Sequence, residues 1–201
     1  LPDMVRDFAL CRDHACVVTA TMGVWCWGAG TEGQLGNLDS RDSAMPVQVP
    51  LDAAFVTAST NVDNTVSLAL GETHSCAQAG AEVRCWGGDE FGQLGQLNRN
   101  SALGVYTVAA QGSLQAGANH TCALSAIDVG TGTGGVAQCW GDNDKGQLQS
   151  PAEAPMGAVT VGIMPITSIG LGNEHSCVFS EGQVLCWGSA PQGQLGPATR
   201  L

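Results

Sequence analysis

The chain has 201 residues, with 18 acidic side chains against seven basic ones and a net charge of −11. Without a basic surface to neutralise phosphates, nucleic acid is excluded as a partner. No stretch reaches the roughly 18 apolar residues that span a bilayer, which excludes membrane insertion by a helix. Apolar residues make up 44% of the chain, and Lys145 is its single lysine. That balance describes a packed core under an acidic, solubilising surface. No signal peptide is visible. The first residue is Leu1 rather than Met, which is expected of a processed or cut product.

Taken in chain order, Val5 to Leu10 alternates and reads as a first strand. His14-Ala15-Cys16 opens a second, and Cys26-Trp27-Gly28 closes a third. Gly33-Gln34-Leu35 makes a loop, and Pro46 to Val49 supplies a fourth strand. The same order then returns three times. The second copy has Thr65 to Leu70, His74-Ser75-Cys76, Cys85-Trp86-Gly87, Gly92-Gln93-Leu94 and a strand from Val105 to Val108. The third has Ser113 to Ala116, His120-Thr121-Cys122, Cys139-Trp140-Gly141, Gly146-Gln147-Leu148 and Ala158 to Val161. The fourth has Ile166 to Leu171, His175-Ser176-Cys177, Cys186-Trp187-Gly188 and Gly193-Gln194-Leu195. A repeat of about 50 residues made of short strands and glycine turns predicts propeller blades. The fold class is therefore all-β: a β-propeller-type array of four blades in a single repeat domain. The blades run roughly over 4–50, 64–110, 112–162 and 165–201. The hydrophobic period is near two in every legible segment, and no helix is predicted.

The motif histidines are 60, 46 and 55 residues apart. The differences fall in the segments Pro50 to Asn64, Gly130 to Gly135 and Ser150 to Gly157, all read as loops. After Gly193-Gln194-Leu195-Gly196 no full fourth strand follows. Three arrangements are open: part of a longer propeller, a blade series continued by another copy, or a four-blade ring.

The motifs absorb all four histidines and eight of the nine cysteines. Within each copy two cysteines flank a hairpin turn, and antiparallel neighbours come within disulfide reach. The expected pairs are Cys16–Cys26, Cys76–Cys85, Cys122–Cys139 and Cys177–Cys186. Each closes a short loop and contributes about 2–3 kcal/mol in the chain-entropy account. A zinc reading of His-x-Cys plus Cys is disfavoured. Residues two apart on a strand share a face but sit about 6–7 Å apart, and the site would have to occur four times. Four disulfides place the chain outside the cytosol: extracellular, periplasmic or at a cell surface. Cys11 is left unpaired, at the position held by Gly71, Gly117 and Gly172 in the other copies. It reads as a buried free thiol, with an intermolecular bridge as the alternative.

A strand ending in Gly, then His-Ser-Cys-Ala, Val-x-Cys-Trp-Gly and Gly-Gln-Leu-Gly, resembles the regulator of chromosome condensation repeat family. The second copy carries it best, through Gly71, His74, Trp86, Gly87 and Gly92 to Gly95, and all four copies match. The cysteine-paired form resembles the repeats of secreted bacterial proteins. The resemblance implies a propeller. It implies little about activity, because one scaffold hosts many functions. A secreted bacterial member that presents loops on one propeller face to a protein is the nearest functional analogy. The nuclear members' chromatin role fits neither the charge nor the cysteines. The plant light receptor's tryptophan context before the motif histidine is absent here. Of the family's Asn four residues after the cysteine, only Asn143 remains. Asp89 holds the equivalent place in copy two, and either side chain caps the turn by bonding backbone amides.

Asp142-Asn143-Asp144 resembles a calcium loop but lacks the later bidentate acid. Asp89, Glu90, Asp142 and Asp144 are the acids an enzyme would use, yet they lie on a turn common to every copy. No catalytic, cofactor or metal site is assigned. The expected function is a non-enzymatic extracellular propeller acting as a protein-binding or scaffold module. The alternative is a self-assembling structural subunit, a ring or filament built by blade-edge association between copies.

Overall fold

The computed structural model describes residues 1, 3–60, 66–95, 104–107, 112–125, 135–150, 159–161 and 165–196. They form four antiparallel sheets. The first holds β1 (Val5–Leu10), β2 (His14–Thr19), β3 (Val24–Gly28) and β4 (Ser43–Gln48), each strand bonded to the next. The helix α1 (Ala53–Thr60) follows. The second sheet holds β5 (Val66–Leu70), β6 (His74–Ala79), β7 (Glu82–Gly87) and β8 (Gly104–Thr107), again in sequence order. The third holds β9 (Leu114–Ala116), β10 (His120–Leu124), β11 (Ala137–Gly141) and β12 (Val159–Thr160). In the fourth, β13 (Ser168–Leu171), β14 (His175–Ser180) and β15 (Gln183–Gly188) make three described strands. These are propeller blades, and the first strands β1, β5, β9 and β13 are neighbours in series along one axis. The series is an open arc. Residues 61–65, 108, 130–134, 151–158 and those after Gly196, named above as strand or loop, lie outside the described residues.

The cysteines face one another directly across each central strand pair: Cys16↔Cys26, Cys76↔Cys85, Cys122↔Cys139 and Cys177↔Cys186. Their Cα atoms are 4.1 Å apart, and each pair is a disulfide. The bonds lie within blades. What joins one blade to the next is a different set of motif residues.

That joint repeats three times. The loop Gly33-Gln34-Leu35 leaves the first blade, and the Gln34 carbonyl accepts from Trp86 Nε1 and Ser75 Oγ of the second, both at 2.9 Å. Gln93 O accepts from Trp140 Nε1 at 2.9 Å and Thr121 Oγ1 at 3.5 Å. Gln147 O accepts from Trp187 Nε1 at 2.8 Å and Ser176 Oγ at 2.9 Å. The first three motif histidines reach the same hydroxyls: His14 to Ser75 at 2.8 Å, His74 to Thr121 at 2.8 Å and His120 to Ser176 at 3.0 Å. Because the hydroxyl hydrogen goes to the carbonyl, the histidine must donate its Nε2–H to the hydroxyl oxygen.

The loop is held in shape by the glutamine side chain. Its Oε1 accepts from the amide two residues earlier in all four copies, at Glu32, Phe91, Lys145 and Gln192. The glycine before it has φ near +80° in every copy, a conformation that a side chain would strain. Asp89 Oδ1 and Asn143 Oδ1 accept from the amides of Leu94 and Leu148, the turn-capping role expected of them.

Burial follows from the joints. β2, β6 and β10 are buried at every position; β6 and β10 have a blade on each face. The core between the first two blades also takes the helix, which corrects the reading of 50–64 as a loop. Asp52 Oδ1 accepts from the amide of Phe55, a helix N-cap. Phe55 is fully buried while Ala53 and Ala54 are exposed. Phe55 and its neighbour Val56 pack on the core, and two adjacent apolar residues leave no helical period to detect. Arg84 of β7 holds the helix start through Asp52 at 2.8 Å, bonds Glu82 at 2.7 Å, and lies 4.9 Å over the Phe55 ring. The Arg84 hydrogen bond holds the Asp52 carboxyl below its usual range.

Two outcomes are expected. Phe55→Ala removes the fully buried aromatic side chain of α1 and should cost about 3–5 kcal/mol in denaturant unfolding. The second concerns pH. Burial holds His14 and His120 down at about 4, and burial with the two neighbouring histidines holds His74 at about 3. In the unfolded chain histidine titrates near ~6.5. The unfolded state therefore takes up protons that the folded state refuses. The stability contributed by the neutral histidines is complete above about 6.5 and lost as pH falls toward about 4. Urea midpoints should fall steadily between those limits. His74→Gln should flatten the slope, and a flat wild-type profile would contradict the joint.

Candidate functional site at the channel mouth

Each innermost strand ends in a tripeptide at the same end of the axis: Leu10 to Arg12, Leu70 to Glu72, Ala116 to Ala118 and Leu171 to Asn173. Together they enclose a cavity of about 260 Å³. The backbone stitches them in series. The Glu72 amide donates to Ala118 O at 2.9 Å, and the Ala118 amide to Asn173 O at 3.0 Å. At the rim Arg12 approaches Glu72 at 4.0 Å and Asp13 at 3.9 Å. These are solvent-exposed contacts of little energetic weight.

The middle residue of each tripeptide is where the blades differ. A side chain on Gly71, Gly117 or Gly172 would sit on the imidazole of His74, His120 or His175. At the first blade the residue is Cys11, and its Sγ lies 2.9 Å from His14 Nδ1. With His14 Nε2–H donated to Ser75, Nδ1 carries the lone pair, so the thiol donates. In His74 and His120 the same buried Nδ1 has no partner among the described residues. Cys11 is unpaired, and the cavity leaves it half-buried rather than buried. With His14 held at about 4 by burial, its imidazole is neutral near pH 7. The thiol sulfur is a hydrogen-bond donor there, without the charged imidazolium that would activate it.

The other residues singled out in the sequence lie apart from this cavity. Cys16, Cys26, Cys76, Cys85, Cys122, Cys139, Cys177 and Cys186 are inside the blades, in disulfides. Asp89, Asp142 and Asp144 belong to the Gly-Gln-Leu turns, where Asp142 Oδ1 accepts from the Asp144 amide. Among the described residues no three His, Cys, Asp or Glu side chains converge as a metal site. The Arg12–Glu72 rim and the Cys11–His14 pair were not legible in the sequence. The one available signal was Cys11 standing where three copies have glycine. No helix among the described residues is long and apolar enough to cross a membrane.

A family model described as the regulator of chromosome condensation (RCC1) repeat matches residues 23–78, from the third strand of the first blade through β6. The ultraviolet-B receptor UVR8 of Arabidopsis thaliana is 28% identical over 99% of this chain and 44% of its own length. The E3 ubiquitin-protein ligase HERC2 of Homo sapiens is 26% identical over 92% of this chain and 4% of its own. The chain thus spans less than half of either relative. Among solved structures, human WBSCR16 superposes with a TM-score of 0.74 at 19% identity, over 98% of this chain and 50% of that one. Prp20p from Saccharomyces cerevisiae, described with its binding to Gsp1p and histones, gives 0.73 at 19% identity, over 96% and 45%. The chain is built from repeats of the regulator of chromosome condensation (RCC1) type, arranged as β-propeller blades.

Proposed function

We propose that the protein is a non-enzymatic binding module that acts outside the cytosol and engages a protein partner through the loops at the channel mouth. One observation carries this reading. The motif histidines, tryptophans and glutamine carbonyls of the first three joints are spent on blade-to-blade bonds. The repeated chemistry is therefore structural. The surface that varies from blade to blade is the set of tripeptides presenting Arg12, Glu72 and Asn173. The same scaffold in yeast Prp20p is described with protein partners, Gsp1p and histones, and Kap60 is bound to yeast RCC1 in another structure. An acidic chain with a net charge of −11 favours a partner with a basic face. Four disulfides support an oxidising compartment.

Two measurements test this. Thiol counting on the native protein should find one reactive cysteine, Cys11, and nine after reduction. Nine free thiols before reduction would sink the extracellular assignment. Cross-linking of the protein in its own secretory fraction should place a partner at the mouth loops. Arg12→Glu with Glu72→Arg should abolish those cross-links without changing the melting temperature. Cross-links that survive the double change, or that map to the outer strands, would remove the mouth as the binding face.

A further inference from the structure

The joint between the first and second blades departs from the next two at the cavity wall. In those two, one backbone bond ties neighbouring tripeptides together: Glu72 N–H to Ala118 O, and Ala118 N–H to Asn173 O. The corresponding bond from the Arg12 amide to Glu72 O is not made, and that amide has no other partner among the described residues. The Arg12 and Glu72 side chains approach to 4.0 Å, too far for a hydrogen bond. Arg12 thus keeps a guanidinium and a free N–H to offer, and Glu72 keeps its carboxylate. Both residues line the cavity of about 260 Å³.

Behind this wall lie two orphaned acceptors. His74 and His120 are fully buried, and Nδ1 of each is unpaired among the described residues. That edge of each ring backs onto Gly71 and Gly117, which line the cavity and put no side chain in the way. Two buried lone pairs behind glycine, beside the Glu72 carboxylate, favour a cationic group on that side. The Arg12 side favours an anionic one. The same histidines show that a joint forms without a donor at Nδ1, so the architecture does not demand the Cys11 thiol.

Cys11 lines the same cavity, and its proton lies on a relay. Sγ is 2.9 Å from His14 Nδ1, His14 Nε2 is 2.8 Å from Ser75 Oγ, and Ser75 Oγ is 2.9 Å from Gln34 O. A nucleophile, a base within hydrogen-bond reach and a group that orients the base are the parts of an activated thiol.

We propose that Cys11 is a thiol–disulfide exchange site for a small zwitterionic disulfide, which binds in the mouth with a carboxylate on Arg12 and an ammonium beside Glu72. The Cys11 sulfur bonds to one sulfur of the disulfide, and the disulfide's own S–S bond breaks. The thiol proton passes through His14 Nδ1 to the departing sulfur, which leaves as a free thiol. Cys11 is oxidised and the departing half is reduced, so the electrons balance between them. The inference goes beyond the protein-binding reading and rests on it only for the oxidising compartment that supplies disulfides.

The test uses purified protein and cystine as the probe. The protein should gain one half-cystine at Cys11, read by mass spectrometry. Hydroxyethyl disulfide, which carries no charge, should react about tenfold more slowly, the scale of one charge-assisted hydrogen bond. Arg12→Gln or Glu72→Gln should erase that preference. The pH profile reads the relay. A free thiol reacts as its thiolate, so its rate falls about tenfold per pH unit below ~8.5. His14 stays neutral down to about 4, so the Cys11 rate should change less than about threefold between pH ~7.5 and ~5. No uptake, equal rates with the two disulfides, a free-thiol pH profile, or uptake that persists in Cys11→Gly would overturn the proposal. The protein-binding reading stands or falls on its cross-links, whichever of these results is obtained.

Discussion

The backbone carbonyl of one glutamine per repeat holds the molecule together. It accepts an indole N–H and a hydroxyl from the next blade, and that hydroxyl takes the histidine Nε2–H of the blade before. A buried carbonyl with two acceptor sites is costly if left unpaired and stabilising when both are filled. The glutamine side chain, the left-handed glycine ahead of it and the capping Asp89 or Asn143 all serve to aim that carbonyl. Blade stacking is thereby a polar lock surrounded by apolar surface, not apolar contact alone.

The lock explains the division of labour among the motif residues. The disulfides hold the second and third strands of a blade in register, and the joints hold blades to one another. Neither depends on the outer loops, so the connections vary in length without disturbing the repeat. Among the described residues, the first joint is reinforced in two ways the others are not. Cys11 supplies a donor to His14 Nδ1, which is unpaired in His74 and His120. Phe55 and the Arg84–Asp52 contact pin a helix beside the same seam. Those additions leave the channel mouth asymmetric, with a thiol and a guanidinium on one side and a carboxylate on the other.

The strands, their order within each blade and the cysteine pairs could be read from the chain because each rests on short-range pattern: period-two burial, a hairpin turn, and two cysteines opposite one another. The helix at Ala53–Thr60 could not, because its inward apolar residues, Phe55 and Val56, are adjacent and give no helical period. Asp52 was the cue, but an aspartate ahead of two alanines is equally at home in a loop. The channel mouth was legible only as an oddity, a cysteine where three copies have glycine. Its meaning depends on Arg12 and Glu72 meeting at the rim from adjacent blades, a proximity that no local pattern encodes.

The sequence by itself determined that the chain is a repeat of blades, because four copies of one motif impose the same local geometry four times. It also determined that the histidines and paired cysteines are architectural, since a reactive site is not written in every blade. Only the tertiary structure decided what the motif is for. His, Gln and Trp act on the neighbouring blade rather than on their own, some 30 to 60 residues away along the chain. The physical reason is that a hydrogen bond between repeats needs the stacking angle and the axis as well as the residues. Those are set when blades pack, and only then do one blade's carbonyl and the next blade's indole meet.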